Sequence, residues 1–244
     1  MEDVTHDVLC MDAPAAEIAP PEPAFTPPPF LNRTEAGKAL ARLLRPYELD
    51  REVVVVGLPR GGIPVAYTIA RALHTPLSFC PVRKLCVPGH HDLAMGAIAP
   101  AEICLMNPDV LEQFRVTRQV FDQVTERQTA EMGRCARAFG AAGKPAPVAG
   151  RTVILVDDGI ATGATMRAAT ASMRQQGAER IIIATPVCTQ SLHRSLSAQA
   201  DDIVCLRRPQ SPRPISETYE EFPLVQEDEV CRLLRRAAAI PAPV

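Results

Sequence analysis

Two short runs of consecutive apolar, mostly β-branched residues constrain the fold of this chain more than any other feature. The first is a run of four valines at 53–56, and the second is Thr152–Val156. A strand that is apolar at every position is typical of a parallel sheet covered by helices on both faces. Each run is followed by a glycine-containing turn and a helical pattern. The sequence therefore predicts an α/β fold with a central parallel sheet and flanking helices.

Further apolar segments complete this pattern. We expect additional strands near 77–82, 101–106, 181–187 and 203–206, and helices near 36–44, 64–73, 109–139, 165–176, 190–199 and 230–238. The helical pattern of 109–139 is interrupted near Val116 and Thr117. Gly177 is suited to end the helix expected at 165–176. The stretch 84–96 is rich in Gly, Pro and His. It has too little apolar content for a core element, so it is predicted to be a loop.

Residues 1–30 differ in composition from the rest of the chain. They contain seven prolines and six acidic residues, no Lys or Arg, and few periodic apolar positions. We therefore predict a disordered tail there and a folded domain at 31–240. Outside this tail the chain carries 26 basic and 22 acidic residues, a mildly basic balance that suits a small anionic ligand. The net charge of −2 gives no reason to expect nucleic acid or an acidic membrane as a partner.

The eight cysteines are scattered on apolar segments, without a CxxC motif or a Cys/His ligand cluster. They are predicted to be small buried hydrophobic residues in a reducing cytoplasm, and no structural zinc site is expected. No apolar run approaches the ~20 residues that a membrane span needs. The acidic, Pro-rich start of the chain does not resemble a secretory signal either. We therefore expect a cytoplasmic protein.

Chemistry-bearing residues are concentrated just after the second buried run. Asp157 and Asp158 follow the strand directly, and a turn rich in Gly, Ala and Thr then leads into a helix. Ligands of open α/β sheets bind at the carboxyl ends of the strands, and backbone N–H groups at a helix start suit a phosphate. The carboxylates repel a phosphate, so they suit sugar hydroxyls or a cation beside it. These features indicate a ribose 5-phosphate site, with a tight turn and two solvated acids as the alternative.

A second glycine-containing turn follows the first buried run, in Leu58-Pro59-Arg60-Gly61-Gly62. Its glycines allow the backbone to approach an anion closely, and Arg60 offers a forked donor. A glycine turn before a helix is often only a turn. Paired with the first motif, it is interpreted as a second anion-binding loop.

A third group of charged residues lies at the start of the predicted loop. Arg83 and Lys84 close the strand expected at 77–82, and Lys84 is one of only three lysines in the chain. A solvated basic pair at a strand end is the alternative interpretation. Within the loop, His90, His91 and Asp92 suggest a metal site, but adjacent histidines rarely bind one ion, so none is expected there.

The segment 153–165 closely resembles the 13-residue fingerprint of the type I phosphoribosyltransferases, which use phosphoribosyl pyrophosphate (PRPP). The resemblance implies that Asp157 and Asp158 hold the ribose hydroxyls. It assigns the 5′-phosphate to the residues of the following turn, Ala161, Thr162, Gly163, Ala164 and Thr165. It assigns the pyrophosphate to the earlier turn, through Arg60, Gly61 and Gly62.

The same resemblance implies a catalytic lid and a metal cofactor. Arg83 and Lys84 would be the catalytic residues at the root of a mobile lid, 84–96, and would reach the pyrophosphate when the lid closes. Mg²⁺ would bridge the pyrophosphate, held by Asp157 and Asp158 directly or through water. The implied fold adds to the central sheet a small hood built from terminal and inserted segments.

The resemblance is closest to a branch of bacterial predicted phosphoribosyltransferases and covers residues 30–235. It includes 58–70, 82–97 and 229–234 in addition to the fingerprint. The chain departs from this branch at 209–219, where a Pro-rich sequence replaces a segment with Phe or Tyr and Gly before an aromatic–acid pair. The family pattern therefore does not specify what residues 209–219 of this chain contribute to an acceptor pocket.

The implied reaction is displacement of pyrophosphate from C1 of PRPP by a nitrogenous acceptor, which the sequence does not identify. The expected partners are small molecules, PRPP and the acceptor, and the chain is compatible with a homodimer. The alternative is a regulatory protein that senses PRPP or a nucleotide without turnover, since a fold does not fix a function. The sequence has no helix with the basic, base-reading face typical of DNA binding, so neither nucleic acid nor a membrane is an expected partner.

The residue at position 161 bears on the acceptor. In family members that act on 6-oxopurines this fingerprint position is typically an Asp, which takes a proton from the purine ring. Ala161 cannot accept a proton, so hypoxanthine and guanine are expected to be poor acceptors. An acceptor that is already deprotonated fits better, as does one whose base comes from the hood or from His90, His91 or Asp92.

Overall fold

Strands and helices alternate along much of the chain as the apolar pattern predicts, but four strands follow one another between residues 77 and 106. The computed structural model describes residues 28–143 and 145–239, without the side chains of His91 and Asp92. The strands are β1 (Val53–Gly57), β2 (Leu77–Phe79), β3 (Arg83–Val87), β4 (His90–Ala99), β5 (Ile103–Met106), β6 (Thr152–Val156), β7 (Arg180–Val187) and β8 (Asp202–Arg207). The helices are α1 (Arg33–Leu43), α2 (Gly62–Leu73), α3 (Pro108–Gln113), α4 (Arg118–Ala142), α5 (Ala164–Gln175), α6 (Gln190–Leu196) and α7 (Glu227–Ala238). Short 3-10 helices lie at Arg45–Tyr47 and Ile215–Thr218.

Five of the strands form the predicted parallel sheet, in the order β2-β1-β6-β7-β8. The two apolar runs are central neighbours in register, from Val53 opposite Thr152 to Gly57 opposite Val156. Their carboxyl ends therefore meet at one edge of the sheet. The strand expected at 77–82 ends early, at Phe79, and Pro81 beyond it has no N–H for a ladder hydrogen bond.

Both faces of this sheet are buried, which explains the continuous apolar runs. Val53, Val55 and Ile154 pack with residues of α1 and α2. Val54 and Leu155, on the other face, pack with residues of α5. All five side chains are fully buried. Because successive strand residues point to opposite faces, a strand covered on both sides must be apolar at every position. The fold class predicted from the sequence is confirmed.

The loop predicted at 84–96 is wrong, because most of that stretch lies in β3 and β4. These strands form an antiparallel hairpin that continues into β5. Its turn is at Pro88-Gly89, where Gly89 has φ +80°. Leu85 and Met95 are fully buried and pack with Phe121 of α4. The few apolar residues of the stretch alternate onto one face, so they form a core despite the low overall apolar content.

The strand near 101–106 and the interruption near residue 116 are confirmed, as β5 and as the break between α3 and α4. The break has a local cause. Arg115 has φ +48°, and the Thr117 side chain accepts a hydrogen bond from the backbone N–H of Val120 as the N-cap of α4. A non-glycine residue in the left-handed region ends one helix, and the threonine cap starts the next.

The described residues include only the end of the predicted tail, since 1–27 lie outside them. Phe30, the last tail residue, already belongs to the fold. Its N–H donates to Thr218 O at 2.8 Å, and its carbonyl accepts from Glu220 N at 2.8 Å. Phe30 is therefore attached to the folded domain, and the tail predicted before it lies mostly outside the described residues. Asn32 caps α1, because its side chain accepts hydrogen bonds from the backbone N–H groups of Thr34 and Glu35. No helix within 28–143 or 145–239 is long and apolar enough to cross a membrane.

Candidate functional site

The two predicted anion-binding turns lie side by side at the carboxyl edge of the sheet. β1 leads into the turn 58–61 and β6 into Asp157 and Asp158, and the two strands are hydrogen-bonded neighbours. Gly61 and Gly62 lie against the acidic turn. A Cβ on Gly61 would be 2.1 Å from Asp158 Oδ2, and one on Gly62 would be 2.6 Å from Val156 O. The glycines are required by this close approach, which brings the two motifs into one site.

Asp157 lies at the centre of this edge, and its charge is disfavoured there. Its Oδ1 accepts the backbone N–H of Asp158 at 2.9 Å. Burial, and next the charge of Asp158, hold the pKa of Asp157 well above its usual range. Two adjacent carboxylates in a partly buried pocket repel each other. The site is therefore poised to gain hydrogen-bond donors or a cation.

Asp158 is held by a buried arginine that the sequence analysis missed. Arg33, the first residue of α1, donates from Nε to Asp158 Oδ2 at 2.8 Å, and both side chains are almost buried. Its Nη1 donates to Pro223 O at 2.8 Å, and its guanidinium carbon lies 3.8 Å from the centre of the Phe222 ring. The ion pair fixes the orientation of one carboxylate of the pair.

The segment 209–226 crosses this edge of the sheet, and we call it the hood segment. The Tyr219 hydroxyl donates to Asp158 O at 2.7 Å, and the Tyr219 and Phe222 rings stack with centres 4.9 Å apart. A Cβ on Gly159 would meet Ile215 at 2.5 Å. The Pro-rich sequence that departs from the family pattern therefore packs directly on the acidic turn. Only the aromatic–acid pair at Tyr219 could have indicated this in the sequence.

The turn predicted to bind phosphate leads into α5 through a left-handed glycine. Gly163 has φ +76°, and α5 begins at Ala164. Ala161 and Thr162 are exposed, while Ala164 and Thr165 are half-buried. Arg167 donates from Nη1 to Thr162 O at 3.0 Å, which fixes the turn from outside. The first N–H groups of a helix lack intrahelical partners, so this turn offers donors and a positive dipole end to an anion.

Arg60 and Arg83 come together although they are far apart in sequence. Both line a cavity of about 130 Å³ with Glu131 and Glu227. Arg83 donates from Nε to Gln128 Oε1 at 3.0 Å. The cavity adjoins the turn 58–61, where the pyrophosphate was expected.

Lys84 is not part of this cavity. Arg83 and Lys84 begin β3 instead of closing β2, which corrects the sequence prediction. Neighbouring strand residues point to opposite faces. Ala97, opposite Lys84 in the hairpin, packs with Met166 of α5. The two predicted catalytic residues therefore lie on opposite faces of the hairpin.

The carboxylates of the cavity are paired with an arginine. Arg134 Nη2 lies 2.7 Å from Glu131 Oε1 and 2.6 Å from Glu227 Oε1. The hydrogen bond from Arg134 lowers the pKa of Glu131 to about 2 and also lowers that of Glu227. Glu131, Cys135 and Glu227 have metal-ligand spacing, but Arg134 occupies the carboxylates, so a cation site is not indicated.

A larger groove of about 450 Å³ lies between α1, α2 and α7, lined by residues such as Lys38, Tyr67, Arg71 and Arg236. None of the predicted site residues lines it. An open turn of backbone N–H groups encloses little volume, so cavity volume is a poor guide to a phosphate site in this fold.

Comparison with known proteins agrees with this geometry. A family model described as "Phosphoribosyl transferase domain" matches residues 104–218, which include the acidic turn and the phosphate turn. The Mycobacterium tuberculosis H37Rv protein "Putative phosphoribosyl transferase Rv0571c" is 38% identical over 208 residues, 85% of this chain and 47% of that protein. The crystal structure of TT1426 from Thermus thermophilus is 34% identical, with TM-score 0.71, and the match covers 86% of this chain and all of that chain.

The chain belongs to the type I phosphoribosyltransferase family. It spans about half the length of the curated relatives it matches. Its parallel sheet carries both motifs at the edge where open α/β sheets bind their ligands.

One substitution tests the close packing of the two turns. Gly62→Ala places a methyl group 2.6 Å from a backbone carbonyl, so we expect a loss of about 1–3 kcal/mol of stability in urea unfolding. The matched control is Gly140→Ala in α4, where a Cβ would meet nothing within 4 Å. It should be stabilising by about 0.5–1 kcal/mol, because alanine has the higher helix propensity. Equal behaviour of the two variants would show that the turns do not pack as described.

Proposed function

We propose that this protein transfers the 5-phosphoribosyl group of PRPP to a nitrogenous acceptor and releases pyrophosphate. One observation carries the proposal: the glycine turn 58–61 and the acidic turn at Asp157 lie within van der Waals distance at neighbouring strand ends. A ligand with a phosphate, a ribose and a pyrophosphate matches the order of groups along this edge. Family membership supports the same reaction class.

Each part of the ligand has a counterpart in the site. The turn from Ala161 to Thr165 binds the 5′-phosphate through N–H groups at the start of α5. Asp157 and Asp158 accept the ribose 2′- and 3′-hydroxyls, and the ion pair with Arg33 orients Asp158 for this role. Carboxylate acceptors make charge-assisted bonds to hydroxyls, which are stronger than neutral ones.

The leaving pyrophosphate is bound on the other side of the acids. The backbone N–H of Gly61 and the guanidinium of Arg60 face it, with Arg83 across the 130 Å³ cavity. The Gly62 N–H already donates to Leu58 O at 3.0 Å, so Gly62 contributes only the close approach of its backbone. Lys84 approaches from the opposite face of the hairpin. With the strands of this hairpin packed in the core, a closing movement is confined to its tip near Pro88 and Gly89.

The chemistry then requires mainly positioning and charge. As the bond from C1 to pyrophosphate breaks, negative charge grows on the leaving group and positive charge on the ribose. Arg60, Arg83 and Lys84 stabilise the first, and the two carboxylates stabilise the second. The acceptor nitrogen supplies the electron pair for the new bond at C1.

The residues present also suit Mg²⁺. Asp157 and Asp158 offer hard carboxylate oxygens side by side, the ligand type that this ion prefers. Burial, and next the charge of Asp158, raise the pKa of Asp157, and a divalent cation would favour its ionised form. When bound, directly or through water, Mg²⁺ would neutralise charge on the pyrophosphate.

The test is release of pyrophosphate from PRPP and Mg²⁺ in the presence of single nitrogenous acceptors, with water as a further acceptor. Acceptor-dependent release by the wild-type protein, abolished in Asp157→Asn, is the expected result. PRPP binding without release by any acceptor would instead support the alternative, a PRPP-sensing regulator. Absence of both binding and release would contradict the proposal.

The same assay tests the consequence of alanine at position 161. We expect hypoxanthine and guanine to be used about 10²–10⁴ times less efficiently than the best acceptor, because no positioned base takes their ring proton. Ala161→Asp should raise their use selectively. Efficient use of 6-oxopurines by the wild-type protein would refute this expectation.

A further inference from the structure

Two cysteines on neighbouring strands lie in contact close to the phosphate turn. Cys188 directly follows β7, Cys205 lies within β8, and their sulfur atoms are 3.2 Å apart. β7 and β8 are parallel neighbours, and Cys188 N donates to Arg207 O at 3.2 Å. A disulfide has an S–S distance of about 2.05 Å, so a movement of about 1 Å would join the two sulfurs.

The two sulfurs differ in chemical character. The Cys188 thiol donates a hydrogen bond to the Cys205 sulfur, which lowers the pKa of Cys205 to about 7. The same hydrogen bond, and next burial, raise the pKa of Cys188. Cys188 is fully buried, whereas Cys205 is half-buried. Cys205 is therefore the more accessible and more acidic thiol, and Cys188 is a thiol held beside it. In the reduced protein the Cys205 thiol donates to Arg207 O at 3.1 Å, and it loses this proton when it reacts as a thiolate.

We propose that Cys188 and Cys205 are a modification site at which a hydroperoxide produces a disulfide. The Cys205 thiolate attacks the peroxide oxygen, the O–O bond breaks, and Cys205 becomes a sulfenic acid as an alcohol or water leaves. The Cys188 sulfur then attacks the sulfenic sulfur, forms the S–S bond and releases water. The two thiols lose two electrons, which reduce the O–O bond.

The position of the pair connects it to the phosphate turn. Ile160 forms a bridge with Cys188, and its N–H donates to Val187 O at 2.8 Å. A Cβ on Gly163 would lie 3.2 Å from Leu192 of α6, and Leu192 packs in the same cluster as Cys188 and Cys205. A disulfide that moves Cys188 therefore displaces Ile160 and the turn after it. We expect weaker phosphate binding in the oxidised protein, a consequence that rests on the proposed function.

Mass spectrometry tests the disulfide without reference to any ligand. The reduced full chain is treated with hydrogen peroxide, remaining thiols are blocked with N-ethylmaleimide, and the protein is digested with trypsin. Cleavage after Arg180, Arg194 and Arg207 gives peptides 181–194 and 195–207, each with one of the two cysteines. The expected product is these two peptides joined and 2 Da lighter than their sum. Cys205→Ser should prevent it and leave Cys188 free to react with the maleimide after unfolding.

The exposed Cys104 is the matched control, because it is more accessible but has no thiol beside it among the described residues. We expect Cys104→Ser to leave the joined peptides unchanged. Oxidation of Cys104 as fast as that of Cys205, or sulfinic acid at Cys205 without a link to Cys188, would overturn the proposal.

Calorimetry with inorganic phosphate tests the connection to the turn. The affinity for phosphate should fall roughly 5-fold or more on oxidation, which is within the range by which one site changes the affinity of another. It should return after reduction with dithiothreitol. An unchanged affinity in the disulfide-linked protein would overturn the connection. If the reduced protein binds neither phosphate nor PRPP, the proposed function fails, while the peptide result still decides whether the disulfide forms.

Discussion

Arg33→Ala is expected to destabilise the protein by about 3–5 kcal/mol, the effect of removing one partner of a buried ion pair. The substitution leaves Asp158, only 14% exposed, as an uncompensated charge beside Asp157. It also removes the hydrogen bond to Pro223 O and the packing on Phe222. The loss should appear in the denaturation midpoint. Arg42→Ala, an exposed change in the same helix, is the control and should lie within about 0.5 kcal/mol of wild type.

A double substitution separates the ion pair from simple loss of packing. Arg33→Ala with Asp158→Asn should be more stable than Arg33→Ala alone, because the unpaired charge is gone. A coupling energy near zero between the two sites would show that the ion pair does not hold the acidic turn.

Asp157→Asn is expected to have opposite effects on stability and on ligand affinity. Burial and the Asp158 charge disfavour the ionised form of Asp157 in the folded protein. A neutral amide should therefore stabilise the fold at neutral pH by about 0.5–2 kcal/mol. Replacing a functional residue that is unfavourable for stability commonly has an effect of this size. The same change should weaken ribose binding, because the charged acceptor for the sugar hydroxyls is lost. A residue with only a structural role would not gain stability and lose ligand affinity through the same substitution.

The stabilisation should depend on pH in a defined direction. Below about pH 4, the usual pKa of an unfolded aspartate, Asp157 is protonated in both states, and wild type and Asp157→Asn should differ least. As the pH rises, the unfolded chain loses this proton before the folded chain does, so wild-type stability falls relative to the variant. Thermal unfolding of both proteins between pH 3.5 and about 8 measures this. A gap that narrows as the pH rises would contradict the raised pKa.

The sequence was sufficient for the sheet and for the two turns, because each depends on local pattern. Continuous apolar runs indicate strands buried on both faces. A glycine-containing turn between such a strand and a helix must lie at the carboxyl end of the strand, where the ligands of this sheet type bind. The hairpin at β3 and β4 was missed because only a few side chains, among them Leu85 and Met95, form its core. Their alternation was hidden by the Gly, Pro and His residues of the turn.

Arg33 could not be predicted, because its role depends on contacts more than a hundred residues away in sequence. Nothing local distinguishes it from Arg42, the exposed arginine of the same helix. Tyr219 and Phe222 lie in a Pro-rich segment without periodicity. The aromatic–acid pair at Tyr219 is the one sequence signal there, and it does not show that these rings pack on the acidic turn. The contact of Cys188 with Cys205 likewise depends on the pairing of β7 with β8, which no cysteine spacing indicates.

The assignment of ribose and phosphate to different residues of the site is tested most directly by isothermal titration calorimetry. Wild type and Asp157→Asn are each titrated with ribose 5-phosphate and with inorganic phosphate. If Asp157 binds the ribose and the turn 161–165 binds the phosphate, the variant should lose about 1.5–3 kcal/mol of affinity for ribose 5-phosphate, the value of hydrogen bonds to a charged group. Its affinity for inorganic phosphate should stay the same or rise. Equal affinity of both proteins for ribose 5-phosphate, or a parallel loss for both ligands, would contradict the assignment.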